Sequence, residues 1–168
     1  SRAHAAMLFK IGLLTEAEWK SVEEELNSLI DSIDKGDFVI EQEFEDVHSK
    51  VEYLLTEKLG DTGKKIHTAR SRNDQVLVDV HLYLKEELGE ISKEVQILFD
   101  RLIDLADKYK GVLMPGYTHF QVAMPSSFGL WFSAYAESLI DDVYLLKAAH
   151  RVADQNPLGS AAGYGSSF

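Results

Sequence analysis

The 168-residue chain contains no cysteine and only three prolines. Without cysteine it forms neither disulfides nor thiolate metal sites, which fits a reducing compartment such as the cytoplasm. It also lacks an apolar run of the roughly 18 residues that cross a bilayer, and no apolar segment of a secretory signal follows its first residues. These absences predict a cytoplasmic protein that has no membrane partner.

Basic residues are scarce as well: 17 Lys and Arg stand against 28 Asp and Glu, a net charge of −11. Nucleic-acid binding requires clustered cations, so this balance excludes a nucleic-acid partner. The exception is local, between Gly60 and Asp74. A basic loop in an acidic chain predicts a small anionic ligand, and a solvated run of charges is the alternative. The cations of this loop are Lys64, Lys65, His67, Arg70 and Arg72.

Strand signals are few, and helical periodicity dominates, so the sequence predicts an all-α protein. Its first residues already follow a helical pattern, which leads us to expect further chain upstream. A capping box of Thr15 and Glu18 predicts a helix that ends at Gly36. Another helix is predicted over residues 45–59. His48 and Glu52 share a face there, but a hydrogen-bonding role is favoured over a metal site, since no third ligand is evident.

Two long helices are predicted in the second half, over residues 75–109 and from Ser126 or Ser127 to about Asp154. The first carries leucines and other apolar residues at strict 4-3 spacing, which is typical of a helical bundle. A helix of that length spans roughly 50 Å and needs partner helices to cover it. Asn73 or Asp74 is the predicted cap at its start. The spaced positions are Leu84, Leu88, Ile91, Val95, Leu98, Leu102, Leu105 and Tyr109.

The segment between these helices, residues 114–125, is predicted to be an irregular loop. Pro115 and Pro125 rigidify its ends, and Gly116 permits unusual backbone angles. Loops held by rigid elements concentrate catalytic side chains. Thr118 and His119 are therefore candidates for chemistry.

Four segments in order resemble the argininosuccinate lyases of the fumarase/aspartase superfamily. The sequence GKKIHTARSRNDQV at residues 63–76 resembles that family's HT-[G/A]-RSRNDQV segment, and GYTHFQ at residues 116–121 resembles its GYTHxQ loop. The sequence EDVH at residues 45–48 and NPLGS at residues 156–160 resemble two further motifs. The T-H-x-Q loop is common to the superfamily, whereas SRNDQ is specific to argininosuccinate lyases.

The resemblance implies an N-terminal helical domain, residues 1–73, followed by a truncated central helical bundle, residues 74–168. It implies reversible cleavage of argininosuccinate to arginine and fumarate, without a metal or an organic cofactor. His119 is the implied acid/base residue. Carboxylate recognition is implied for the SRN segment and for Thr118 of the T-H-x-Q loop, in which Gln121 orients neighbouring groups. The implied substrate-binding residues are Ser71, Arg72, Asn73, Thr118 and Gln121.

The family forms homotetramers in which several subunits build each active site, so we expect a homo-oligomer. The family's flexible GSSxMPxKxN loop, which carries a second catalytic serine, is absent. Gly165-Ser166-Ser167 is a decoy, since no MPxKxN follows it. We therefore expect this chain alone to be inactive. Two alternatives remain: another superfamily lyase, such as adenylosuccinate lyase, and a non-catalytic structural protein similar to the lens crystallins.

Overall fold

The fold is described from a computed structural model, in which residues 1–159 are described. The described residues form two compact units: the first contains residues 1–77 and 157–159, and the second contains residues 78–156. The predicted domains, 1–73 and 74–168, stay a prediction. The sequence GSS at residues 165–167 and Ser160 of the NPLGS motif lie outside the described residues.

The first unit consists of α1 (Arg2–Lys10), α2 (Glu16–Asp34), α3 (Val47–Leu59) and α4 (Asp61–Lys64), with a 3₁₀ turn at Lys65–His67. The capping box at the start of α2 is confirmed, because Thr15 Oγ1 accepts from Glu18 N (3.2 Å) and Glu18 Oε2 accepts from Thr15 N (2.8 Å). One buried apolar cluster joins these helices and provides the core of the unit. Its members are Ala5, Leu8, Leu14, Val22, Leu26, Leu29, Leu55 and Ile66.

Helix α5 (Arg72–Tyr109) starts in the first unit and continues into the second. There it is followed by β1 (Leu113–Thr118), β2 (Gln121–Ser127) and α6 (Phe128–Ala153). Ser127 caps α6, since its Oγ accepts from Leu130 N at 3.1 Å. The predicted long helices and the all-α class are confirmed.

Helices α5 and α6 are antiparallel neighbours. Late in α5, the Tyr109 ring lies 6.5 Å from the Phe132 ring near the start of α6. At the opposite ends, Lys85 Nζ lies 2.5 Å from Asp154 Oδ1 and His81 Nδ1 lies 2.8 Å from the Gln155 carbonyl oxygen. This is the arrangement that two bundle helices joined by a short connection adopt.

The connection between the long helices is not the irregular loop that the sequence predicts. It is an antiparallel hairpin in which Leu113 pairs with Ser127 and Thr118 with Gln121. The prolines misled the prediction because Pro115 and Pro125 face each other across a two-stranded ribbon. Each strand of such a ribbon has an open edge, so a missing N–H costs no ladder hydrogen bond.

A second difference concerns residues 60–74, where the sequence shows no clear periodicity. The structure forms α4, the 3₁₀ turn and the start of α5 within this stretch. Four-residue and three-residue helices are too short to leave a periodic apolar pattern. Lys64, Lys65 and His67 therefore lie on short helical turns, whereas Arg70 lies in the connection to α5 and Arg72 is its first residue.

Candidate active site

Ser71, Arg72 and Asn73 lie at the N-terminus of α5, where backbone N–H groups lack helical partners. Ser71 Oγ accepts from Asn73 N (3.3 Å), and Asp74 Oδ1 accepts from Ser71 N (2.8 Å). The cap is therefore Ser71, and the prediction of Asn73 or Asp74 is wrong. The helix starts earlier than predicted because the side chains of Ser71 and Asp74 both accept from backbone N–H groups at its start.

A network of buried polar side chains holds the backbone at the start of α5. Arg70, Asp74 and Gln75 are among the few buried polar side chains of the described chain. Arg70 donates to the Ile66 carbonyl oxygen (2.7 Å), and Gln75, with its amide oxygen turned toward the guanidinium, accepts from Arg70 Nε (3.1 Å). Buried charges need such partners, and the network fixes the backbone on either side of Ser71.

His4 of α1 adds a hydrogen bond to the segment that precedes α5. Its Nε2 lies 2.9 Å from the Thr68 carbonyl oxygen, so the neutral ring donates to this acceptor. Burial, together with the nearby Arg70 charge, lowers the pKa of His4 to about 4. The imidazole is thus uncharged at neutral pH, and its role is structural.

Arg72 extends back over α3. Its NH1 donates to Asp46 Oδ1 (3.2 Å) and its NH2 donates to Glu52 Oε2 (3.1 Å). The other oxygen of Glu52, Oε1, pairs with His67 Nδ1. Asp46 is also the cap of α3 and accepts from Ser49 N (2.8 Å). Burial, the largest single influence on the pKa of the Asp46 carboxyl, raises it. The hydrogen bonds from Ser49 help to lower it, and the net result is a pKa below the usual value.

The hairpin tip carries the second group of predicted site residues. Thr118 and Gln121 are the last paired residues, and His119 and Phe120 form the two-residue turn between them. Both turn residues have positive φ, 49° for His119 and 60° for Phe120. Two positive φ values define the type I′ turn that fits the strand twist but favours Asn and Gly. The tip is thus strained.

Exposure at the tip is high. Thr118, His119 and Gln121 are all exposed, and their side chains make no hydrogen bond within residues 1–159. Phe120 is 100% exposed. These polar groups are available to a molecule that approaches the hairpin from outside its own unit.

A bulge sets the direction of the tip. Gly116 stands opposite two residues, Ala123 and Met124, between the Pro115–Pro125 and Tyr117–Val122 pairs. A Cβ at position 116 would lie 2.7 Å from the Met124 carbonyl oxygen, so only glycine fits. Bulges of this kind redirect side chains near functional sites.

The structure thus gathers the predicted residues into two groups, one in each unit. Ser71, Arg72 and Asn73 form the first, at the start of α5, and Thr118, His119 and Gln121 form the second, at the hairpin tip. Sequence reasoning missed the two carboxylates that hold Arg72, Asp46 and Glu52, and the pairing of Glu52 with His67. The sequence places His67 in the basic loop and Glu52 in the predicted helix over residues 45–59, but it carries no signal that these side chains meet.

No group of three or more His, Cys, Asp or Glu side chains within residues 1–159 is arranged to hold a metal ion. None of the helices described here is both long and apolar enough to cross a membrane.

Long antiparallel helices preceded by a small helical unit, with polar residues at a helix start and on a hairpin, define an all-α class of bundle protein. The chain belongs to the lyase family, since the family model described as "Lyase" matches residues 1–168.

Similar proteins include argininosuccinate lyases from several bacteria. The protein from Phocaeicola vulgatus is 61% identical over 168 residues, and that from Bacteroides thetaiotaomicron is 58% identical over the same length. Both alignments cover 100% of this chain and 38% of the relative. The protein from Thermotoga neapolitana is 45% identical, and the alignment covers 98% of this chain and 42% of that protein. The chain therefore spans well under half the length of these relatives.

Solved structures share the fold. An EDDS lyase variant with bound fumarate superposes with a TM-score of 0.87 at 24% identity, covering 99% of this chain and 32% of that chain. A fumarate lyase:delta crystallin from Brucella melitensis bound to cobalt gives a TM-score of 0.81 at 19% identity, covering 99% and 41% respectively. At these identities the likeness establishes architecture alone.

Proposed function

We propose that this chain is part of an argininosuccinate lyase, which cleaves argininosuccinate reversibly to arginine and fumarate in arginine biosynthesis. The observation that carries the proposal is the SRN segment at the start of α5, with Arg72 held by two carboxylates. The 61% and 58% identities to two argininosuccinate lyases support it. The absence of cysteine fits the cytoplasmic location that goes with this proposal.

The reaction removes a proton from carbon beside a carboxylate, which builds two negative charges on one end of the substrate. Fixed donors stabilise such charge best. Arg72 supplies a planar cation with N–H groups for a carboxylate oxygen, and Asn73 supplies amide donors. Ser71 accepts from Asn73 N through its oxygen, so its own hydroxyl proton is available to the substrate. Thr118 donates its hydroxyl to the same succinyl end, and Gln121 orients neighbouring groups.

His119 is the proposed acid/base residue, because imidazole exchanges protons near neutral pH. A serine on a loop outside this chain is its proposed partner. The chain by itself is accordingly expected to be inactive. In this proposal the chemistry needs no metal and no organic cofactor, since side-chain donors and proton transfer supply each step.

We also propose a homotetramer in which subunits share active sites. One flank of α5 supports this, because Leu84, Ile91 and Leu98 are 42%, 47% and 50% exposed although they belong to the regular apolar pattern. Beside them, α5 and α6 leave a groove of about 250 Å³. Exposed apolar faces of this kind are typical of protein interfaces, so this flank is where a helix of a second copy would pack.

The test is an assay of the full-length protein with argininosuccinate and, in parallel, with adenylosuccinate. Fumarate release from argininosuccinate alone is the expected result. Preference for adenylosuccinate would identify another lyase of the superfamily. Failure to act on either would favour a structural role similar to that of the crystallins.

A further inference from the structure

Glu52 connects two side chains from different elements. Its Oε2 accepts from Arg72 NH2 at 3.1 Å, and its Oε1 pairs with His67 Nδ1. Glu52 belongs to α3, His67 to the 3₁₀ turn and Arg72 to the first residue of α5. A single carboxylate on α3 therefore connects the start of α5 with the 3₁₀ turn.

The contacts of Glu52 differ from those of Asp46, the other carboxylate on Arg72. Asp46 Oδ1 also accepts from the backbone N and the hydroxyl of Ser49, at 2.8 and 3.0 Å, so capping α3 alone would fix it. Glu52 makes no such bond to the backbone within the described chain. Its carboxylate has Arg72 on one oxygen and His67 on the other, so its position depends on both.

Stability alone does not account for this arrangement. The side chains of Arg72, Glu52 and His67 are 28%, 26% and 47% exposed. Ion pairs open to water to this extent add little to folding stability. What they do is restrict a long side chain to one orientation, because two separate nitrogens of Arg72 are held by two separate carboxylates.

The restriction leaves Arg72 able to bind more. A guanidinium has five N–H donors, of which one on NH1 and one on NH2 are used here. The Nε donor and one further donor on each of NH1 and NH2 have no partner among residues 1–159. These donors lie in the plane that the two carboxylates fix, so an additional carboxylate meets a guanidinium of defined orientation.

We propose that Glu52, itself fixed by His67, is a positioning residue that orients Arg72 toward the carboxylates of a dicarboxylate substrate. This inference rests on the proposed function, which assigns Arg72 to substrate binding. It adds Glu52 and His67 to the residues that determine substrate affinity, although neither touches the substrate.

The test uses the full-length protein and measures KM and kcat for argininosuccinate. Glu52→Gln keeps the shape but cannot accept from both neighbours, and we expect KM to rise about tenfold, a coupling usual for contacting side chains. His67→Ala should raise KM similarly. His67→Asn places an amide donor where Nδ1 stands, so it should restore KM to within about twofold of wild type.

Two controls separate positioning from folding. Glu41→Gln removes a carboxylate that pairs with Lys50 in the same unit, and KM should not change. In an Arg72→Lys background, Glu52→Gln should cause no further rise in KM, because its effect passes through Arg72. An unchanged KM in Glu52→Gln, or an equal rise in both backgrounds, would overturn the inference.

A measurement without turnover keeps the inference separate from the proposed function. If the wild-type protein cleaves no argininosuccinate, the proposed function fails, and crystal structures of wild type and Glu52→Gln still test the positioning. The guanidinium of Arg72 should leave its wild-type orientation in the variant. An unchanged guanidinium would refute the positioning role of Glu52.

Discussion

His119 occupies a backbone conformation that few side chains adopt. With φ of 49°, and Phe120 beside it at 60°, the turn stores strain of order 1–3 kcal/mol per residue. The hairpin ladder and the bulge at Gly116 hold this turn in place. An exposed histidine on such a turn has a fixed backbone position although its ring lies in solvent.

Replacing His119 by Asn in the full-length protein should therefore remove chemistry without removing the turn. Asparagine is favoured at positive φ, so the hairpin is retained. Loss of an acid/base group lowers kcat by about 10² to 10⁴-fold. Stopped assays of fumarate release measure this directly. A variant that kept more than about a tenth of the wild-type kcat would remove His119 from the acid/base role.

His4 makes folding stability depend on pH. Its pKa is lowered from 6.5 to about 4 in the folded chain, chiefly by burial. The unfolded chain thus binds the proton more readily, and stability falls as pH decreases from 6.5 toward 4. Above pH 6.5 the histidine is neutral in both states and the loss disappears.

The test compares urea midpoints of wild type and His4→Gln at pH 7 and pH 5. Glutamine keeps an amide donor for the Thr68 carbonyl oxygen but does not titrate. The urea midpoint of the variant should fall less between pH 7 and pH 5 than that of wild type. Both pH values lie above 4.5, the usual pKa of Glu18 and similar carboxyls, so these groups change little over this range. Equal falls in both proteins would show that His4 does not carry the pH dependence.

At the scale of elements, the sequence predicts most helices and mispredicts the hairpin. The capping box at Thr15 and the apolar periodicity of α5 and α6 are local signals, and local signals survive in the sequence. Pairing across the hairpin is not local: Pro115 and Pro125 stand opposite each other in a ribbon whose strands each have an open edge, where a missing N–H is tolerated. A proline considered without its cross-strand neighbour indicates a break in secondary structure.

The candidate site divides in the same way. Its residue types follow from motifs at residues 71–73 and 118–121. The contact between Glu52 and Arg72, twenty positions apart, depends on how α3 meets the start of α5. A sequence pattern alone carries no information about that meeting, so the partners of Arg72 emerge only from the packed structure.

At Gly129 the backbone of α6 packs closely against the end of α5. A Cβ there would lie 2.5 Å from Lys110 Cα and 2.7 Å from the Ala106 carbonyl oxygen. Gly129→Ala should therefore destabilise the second unit by about 1–3 kcal/mol, as overpacking does. Urea unfolding followed by circular dichroism measures the change.

Gly89 provides the matched control, since it lies inside α5 and has nothing within 4 Å of its Cβ position. Gly89→Ala should stabilise α5 by about 1 kcal/mol through helix propensity. If both substitutions shifted the unfolding midpoint in the same direction, close packing at Gly129 would not be the cause.

At the scale of the whole molecule, the exposed flank of α5 is where the proposed homotetramer can be tested. Ile91→Glu combined with Leu98→Glu places charges where the tetramer model buries apolar side chains. The association free energy should weaken by at least about 3 kcal/mol, more than a hundredfold in the association constant. Sedimentation velocity of the full-length protein should show smaller species for this variant.

Lys93→Glu is the control for that experiment, because Lys93 lies on the opposite side of α5 and is 70% exposed in its pair with Glu90. It should leave the oligomer intact. A wild-type protein that sediments as a monomer at micromolar concentration would contradict the proposed assembly.

The proposal of shared active sites predicts a site that combines the SRN segment of one subunit with the hairpin tip of another. The most direct measurement mixes two inactive full-length variants, Arg72→Ala and His119→Asn, after dissociation and reassembly. Random mixing leaves both parts intact in about a quarter of shared sites, so roughly a quarter of wild-type activity should return. No recovery of fumarate release from reassembled mixed oligomers would contradict the account.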